Sequence, residues 1–125
     1  MWAVADVQAD AVPGGWDTFV LVATTEQFIA TIRVEVSCDD GTRVSRNRSI
    51  SVNRTTLWMR YEFPEIVGKR CAMTVESLPT RVTSSPSVPR YRVPLVVEKA
   101  LYYGSGFVGG DVSLATRLPD PIDPP

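Results

Sequence analysis

The feature that most constrains the fold is an alternation of apolar and polar residues with a period of two. It is clearest between residues 28 and 38. There Phe28, Ala30, Ile32, Val34, Val36 and Cys38 share one face. Successive side chains of a β-strand point to opposite faces, so the pattern predicts a long strand with one face in the core. The Asp40-Gly41 pair that follows is typical of a tight hairpin turn.

Similar alternation recurs along the chain and indicates an all-β protein. The predicted strands cover residues 3–8, 16–24, 28–38, 43–52, 55–63, 70–78, 90–99 and 111–117. The four strands within residues 27–78 are joined by short turns, which predicts one continuous antiparallel meander. A length of 125 residues suits one domain. We therefore expect a single antiparallel β-sandwich or jelly roll over residues 1–117.

The last eight residues, 118–125, contain four prolines and predict an extended arm. Leu118 and Ile122 are its apolar anchors. We expect these two residues to contact another subunit. An arm folded back along its own sandwich is the alternative.

The residue types present exclude several kinds of chemistry. The chain has no histidine and only two cysteines, so it has no Ser-His-Asp triad, no histidine metal site and no four-cysteine zinc site. The segment Gly104–Gly109 matches the G-x-G-x-x-G pattern, but strand-like residues follow it where a dinucleotide site needs a helix. We therefore expect no enzyme activity, no cofactor and no metal.

Cys38 and Cys71 both fall on core-facing positions of predicted strands. No secretory signal or membrane-length apolar segment is apparent, which predicts a protein made in the cytoplasm. The two cysteines are then expected to be free thiols. A disulfide between them, and with it a secreted protein, is the alternative.

Charge is segregated along the chain. Residues 1–42 carry seven acids and one base, residues 43–60 carry five arginines and no acid, and the remainder is balanced. The net charge of −1 argues against a nucleic-acid-binding module. Arg43, Arg46, Arg48 and Arg54 are predicted to contact an acidic partner, or the acidic half of another copy.

Arg46 and Arg48 also share a strand face with the apolar residues Val44 and Ile50. Two unpaired arginines in a core are costly. We therefore expect either a β-bulge that changes the phase or a partner that meets this strand.

Trp58 lies on the predicted outward face of its strand, which favours a binding surface. In one hypothesis it contacts protein. In the other, Trp58 joins Trp16 and Tyr102 or Tyr103 in a sugar-stacking platform, and the protein is a carbohydrate-binding module.

In overall character the chain resembles the small β-sandwich virion proteins of tailed phages, which cement or decorate capsids. The resemblance rests on a short, non-catalytic β-sandwich with an extended terminus. It implies a structural role in the virion. The implied partners are copies of the same chain, a major capsid protein or another virion protein, without nucleic acid or membrane.

Overall fold

The structure, a computed structural model, describes residues 1–12, 14–24, 29–50, 53–79, 90–104 and 109–121. These residues form two antiparallel β-sheets that pack against each other, which confirms the predicted all-β sandwich. The strands are β1 (Trp2–Gln8), β2 (Asp17–Thr24), β3 (Ala30–Cys38), β4 (Arg43–Ile50), β5 (Asn53–Trp58), β6 (Arg70–Ser77), β7 (Val96–Tyr103), β8 (Gly109–Leu114) and β9 (Thr116–Arg117). A short helix, α1 (Met59–Glu62), and a 3₁₀ turn, Pro64–Ile66, connect β5 to β6.

Sheet A has the strand order β4-β3-β6-β1-β9, and sheet B has the order β5-β2-β7-β8. The predicted hairpin between β3 and β4 is present. Its turn is closed by the Cys38 amide, which donates to the Thr42 carbonyl over 2.8 Å. Gly41 has a φ of +90°, a conformation that glycine adopts without steric cost.

The predicted continuous meander over residues 27–78 is wrong. β5 pairs with β2 in sheet B, and β6 pairs with β3 in sheet A. The strand predicted over 55–63 also ends early, because the chain turns into α1 at Met59. Alternation identifies which side chains of a strand face the core. A sandwich offers a core-facing position in either sheet, so alternation cannot assign a strand to one of them.

The core is formed by the inner faces of the two sheets. Val20 and Val22 of β2 are fully buried, as are Val34 of β3 and Val75 of β6. β-branched residues suit this environment because their rigid side chains pack well on a pleated surface. The inner positions of each strand are therefore fixed by core packing, and the alternate positions form the outer faces.

Cys38 and Cys71 form a disulfide, so the expectation of two free thiols is wrong. The two residues lie directly opposite each other in the pairing of β3 with β6, with their Cα atoms 3.9 Å apart. In the predicted meander, two other strands lie between the strand that carries Cys38 and the strand that carries Cys71. Their actual pairing brings the two sulfur atoms together.

We expect the double substitution Cys38→Ala and Cys71→Ala to lower the free energy of unfolding by about 3–4 kcal/mol. The disulfide closes a loop with a sequence separation of 33, and its loss restores the entropy of the unfolded chain. Denaturant titration of the double variant and of the wild type measures the difference. Thiol titration of the denatured, unreduced wild type should find no free thiol. Two free thiols, or equal stabilities, would contradict the disulfide.

Candidate functional site

The basic segment does not form one surface. Arg43 points to the outer face of sheet A, opposite Ser37, while Arg46 lies opposite Val34 on the inner side of β4. Arg54 belongs to β5 and therefore to sheet B. The structure thus separates the four arginines that the sequence predicted as one contact surface.

The out-of-phase arginines of β4 are paired within the chain. Arg46 Nη1 donates to Glu65 Oε1 over 3.2 Å and to the Glu62 carbonyl over 3.3 Å, and Arg48 pairs with the Glu62 carboxylate. The guanidinium of Arg46 also lies 4.9 Å from the centre of the Phe63 ring. The register between β3 and β4 is unbroken over Arg43–Ile50, so no bulge occurs there. Glu62 and Glu65, in the segment after β5, therefore supply the negative charges that the sequence predicted on a binding partner.

The described part of the C-terminal arm lies along its own sandwich. The Leu118 amide donates to the Met1 carbonyl over 2.7 Å, and the Pro121 carbonyl accepts from Arg92 Nη2 over 3.2 Å. Leu118 is therefore held by its own chain, in agreement with the alternative considered for the arm. Ile122, the other predicted anchor, is outside the described residues.

Trp58 lies on the outer face of sheet B, as the sequence predicted, and it belongs to a larger apolar surface. The register of the four strands places Trp58, Phe19, Ala100 and Val112 in one row across the sheet. Leu21 follows Phe19 along β2, and Tyr102 follows Ala100 along β7, toward the other end of the face because the two strands are antiparallel. We call these six residues the apolar face: Phe19, Leu21, Trp58, Ala100, Tyr102 and Val112.

Val112 is 57% exposed, and Leu114 and Val96, which continue the apolar face toward one end, are 63% and 49% exposed. A groove of about 550 Å³ crosses the centre of the face. Arg54 and Thr56 of β5 line one side of the groove, and Glu98 of β7 lies on the other.

The aromatic rings of the apolar face pack against one another. Phe19 stacks on Trp58 with ring centroids 5.1 Å apart and an interplanar angle of 27°. Tyr61, from α1, meets Trp58 edge-on at 4.5 Å, and Tyr102 meets Phe19 edge-on at 5.8 Å. The rings therefore form a cluster and do not lie side by side as a flat platform.

Asp17 anchors this cluster. Its carboxylate oxygen Oδ2 accepts from Trp58 Nε1 over 2.8 Å and from Arg60 Nε over 3.0 Å. The residue is only 5% exposed, and its other oxygen, Oδ1, is buried with no hydrogen-bond partner among the residues that the structure describes. Hydrogen bonds to a buried carboxylate are strong, so Asp17 fixes the orientation of the indole.

The predicted sugar platform is divided by strand geometry. Trp16 and Tyr103 contact each other with ring centroids 5.2 Å apart. Neighbouring positions of a strand face opposite ways, so Tyr103 and Tyr102 point to different sides of sheet B. The structure therefore brings Trp58 together with Tyr102, and Trp16 together with Tyr103.

Two glycines, the last of the G-x-G-x-x-G pattern and the residue after it, allow β8 to complete the apolar face. Gly109 and Gly110 begin β8, while residues 105–108 are outside the described residues. A Cβ atom at Gly110 would lie 2.4 Å from the Leu101 carbonyl oxygen, so the close pairing of β7 with β8 requires glycine there. These glycines thus have a packing role.

Phe19, Leu21 and Asp17 belong to this site but are not among the residues predicted from the sequence. A signal for the first two was present, because β2 carries apolar residues on both of its faces. Such a pattern is typical of a strand that is covered on both sides. Asp17 gave no signal, because its partners Trp58 and Arg60 lie more than 40 residues away in sequence.

Among the described residues, no group of three or more histidine, cysteine or carboxylate side chains is placed to hold a metal ion. No helix in the described part of the chain has the length and apolar character needed to cross a membrane.

Comparisons with known proteins support the fold. No family model matches the chain, and no curated protein matches its sequence. The crystal structure of Thermotoga maritima 1070 is similar, with a TM-score of 0.60 over 91% of this chain and 90% of that one. At 17% identity the similarity extends to the fold alone.

We expect replacement of Arg46 and Arg48 by serine to lower stability by about 1 kcal/mol at neutral pH, because exposed ion pairs contribute little each. Hydrogen bonds from Arg46 lower the pKa of Glu65 below its ordinary value of 4.5, so the charged Glu65 stabilises the folded state above that pH. The difference between variant and wild type should therefore shrink as the pH falls below 4.5. Denaturant titrations at several pH values test this, and a pH-independent difference would contradict it.

We expect Asp17→Ala to destabilise the protein by about 3 kcal/mol, because it removes the partner of Arg60 and of the Trp58 indole from a buried position. The emission maximum of tryptophan fluorescence should also move to longer wavelength as Trp58 becomes hydrated. Thr56→Ala, an exposed change on the same face, is the matched control and should cost less than about 0.5 kcal/mol. Equal effects of the two substitutions would show that Asp17 has no anchoring role.

Proposed function

We propose that the protein is a non-enzymatic assembly protein that binds another protein subunit through the apolar face of sheet B. The observation that carries the proposal is the continuity of this surface from Trp58 across β2 and β7 to Val112. Along this row Trp58 and Phe19 are half-buried, Ala100 is buried in the groove lining and Val112 is exposed. Contiguous exposed apolar surface on a soluble domain marks an interaction site. Aromatic residues are also enriched at the energetically important centres of protein interfaces.

The ring geometry supports a protein partner over a sugar. Sugar stacking uses ring faces that are open to solvent, whereas Phe19 and Trp58 stack on each other. The groove is also lined by aliphatic residues, Leu21, Ala100 and Val112, which suit another apolar protein surface. The polar lining by Arg54, Thr56 and Glu98 is the observation that favours the carbohydrate-binding alternative.

The Cys38–Cys71 disulfide supports a function in an oxidising environment. Structural disulfides persist mainly in secreted, periplasmic or surface-exposed proteins and in virions. We therefore place the assembly outside the reducing cytosol as part of the proposal. The capsid-cement role implied by the resemblance is a narrower form of it, in which the partner is a subunit of a virion lattice.

The test compares full-length wild type with Val112→Asp in a gentle extract of the source cells or particles. Wild-type protein should elute in a particle heavier than the monomer. The variant should shift toward the monomer, because a charged side chain buried at an interface without a partner costs about 2 kcal/mol or more, which is about 30-fold in affinity. Size-exclusion chromatography with light scattering measures the particle mass.

Ser113→Asp is the matched control, since Ser113 is an exposed neighbour on β8 that points to the other side of the sheet. It should leave the particle intact. The proposal is wrong if the Val112→Asp variant stays in the particle, or if the Ser113→Asp variant dissociates from it to the same extent. Retardation of the wild type by a polysaccharide gel, lost in Trp58→Ala, would replace the proposal with the carbohydrate-binding alternative.

A further inference from the structure

We infer that one partner of the apolar face is a second copy of this chain, packed face to face about a two-fold axis that runs along β2. The inference rests on the proposed function and names the partner. It is carried by the positions of two opposite charges on the face and by a match between a large and a small residue.

The two charges are Arg54 of β5 and Glu98 of β7, the strands that pair with β2 on either side. Arg54 is opposite Ala23 in the register, and Glu98 is opposite Leu21. Both side chains line the groove. Within the ranges that the structure describes, neither has an ion-pair partner. Each copy therefore presents one positive group on β5 and one negative group on β7, on either side of β2.

A two-fold axis parallel to β2 exchanges the two sides of the face, so β5 of one copy lies over β7 of the other. Arg54 then faces the β7 strand that carries Glu98, offset by two residues, or about 7 Å along the strand. The length of an arginine side chain spans this offset. The same operation forms the reciprocal pair, as an isologous interface requires. Opposite charges thus meet twice, and no like charges face each other.

The same symmetry also places large side chains of one copy opposite small side chains of the other. Trp58 and Ala100 occupy the same row, on opposite sides of Phe19. In the dimer each Trp58 therefore lies above the Ala100 of the second copy, a small, buried residue that lines the groove. Phe19 and Leu21 of β2 lie on the axis and contact their own symmetry mates. Large groups facing small ones give the close packing that specific interfaces show.

The area of the face limits the strength of this dimer. An axis along β2 overlaps β5, β2 and β7 of the two copies and leaves β8 outside the interface. Three strands about 4.8 Å apart and four outward positions along each give an overlap of roughly 14 by 20 Å. Both copies together then bury roughly 600 Å², the size of a weak, transient interface. We therefore expect dimerisation only at high micromolar concentrations.

The test uses charge reversal in the purified, full-length protein. Arg54→Glu and Glu98→Arg should each weaken dimerisation at least 10-fold, because each creates like-charge contacts at both symmetric positions. An equimolar mixture of the two variants should restore dimerisation to within about 3-fold of the wild type, because every contact in the mixed dimer is then between opposite charges. Sedimentation equilibrium measures the dissociation constants, and thermal unfolding verifies that each variant folds.

Arg43→Glu is the matched control, because Arg43 is an exposed arginine on the outer face of sheet A. It should leave dimerisation unchanged. A wild type that stays monomeric at millimolar concentration, or a mixture that fails to recover, overturns the inference. In that case the proposed function still stands if the Val112→Asp variant dissociates from the native particle. If that variant stays in the particle, the proposed function is wrong as well.

Discussion

The packing of the two inner sheet faces is the interaction on which the rest of this structure depends. Burial of residues such as Val20 and Val22 against the opposing sheet is the main favourable contribution to folding. It also commits one face of every strand, because the side-chain period of a strand is two. Once Val20 and Val22 point inward, Phe19 and Leu21 must point outward. The apolar face is therefore a geometrical consequence of the core.

The outer faces of the two sheets have different chemistry. Across the centre of sheet A, the outward positions are small or polar, as with Ser37, Ala72 and Thr74. The outer face of sheet B instead carries a tryptophan, a phenylalanine and several aliphatic side chains. Solvating such residues is unfavourable, so their concentration on one side favours a surface that is covered by another molecule. This asymmetry is the main structural basis of the proposed function.

The charged residues support this difference between the two sheets. Arg46 and Arg48 of β4 are paired with Glu65 and Glu62, so they stabilise the edge of sheet A locally. The buried carboxylate of Asp17 fixes Trp58 and connects it to Arg60. A tryptophan held in one orientation loses less conformational freedom on binding, which favours recognition. Arg54 and Glu98 remain at the groove, where they can set the orientation of a partner.

The sequence by itself determined the class of fold, the β3–β4 hairpin and the outward position of Trp58, because these depend on local alternation and turn chemistry. The tertiary structure alone decided which sheet each strand joined. That choice depends on contacts between residues far apart in sequence. It brought Cys38 opposite Cys71, gave Arg46 and Arg48 their partners, and placed Val112 beside Ala100 and Phe19. Strand period is a property of each segment, whereas pairing is a property of the whole chain, and the candidate site depends on pairing.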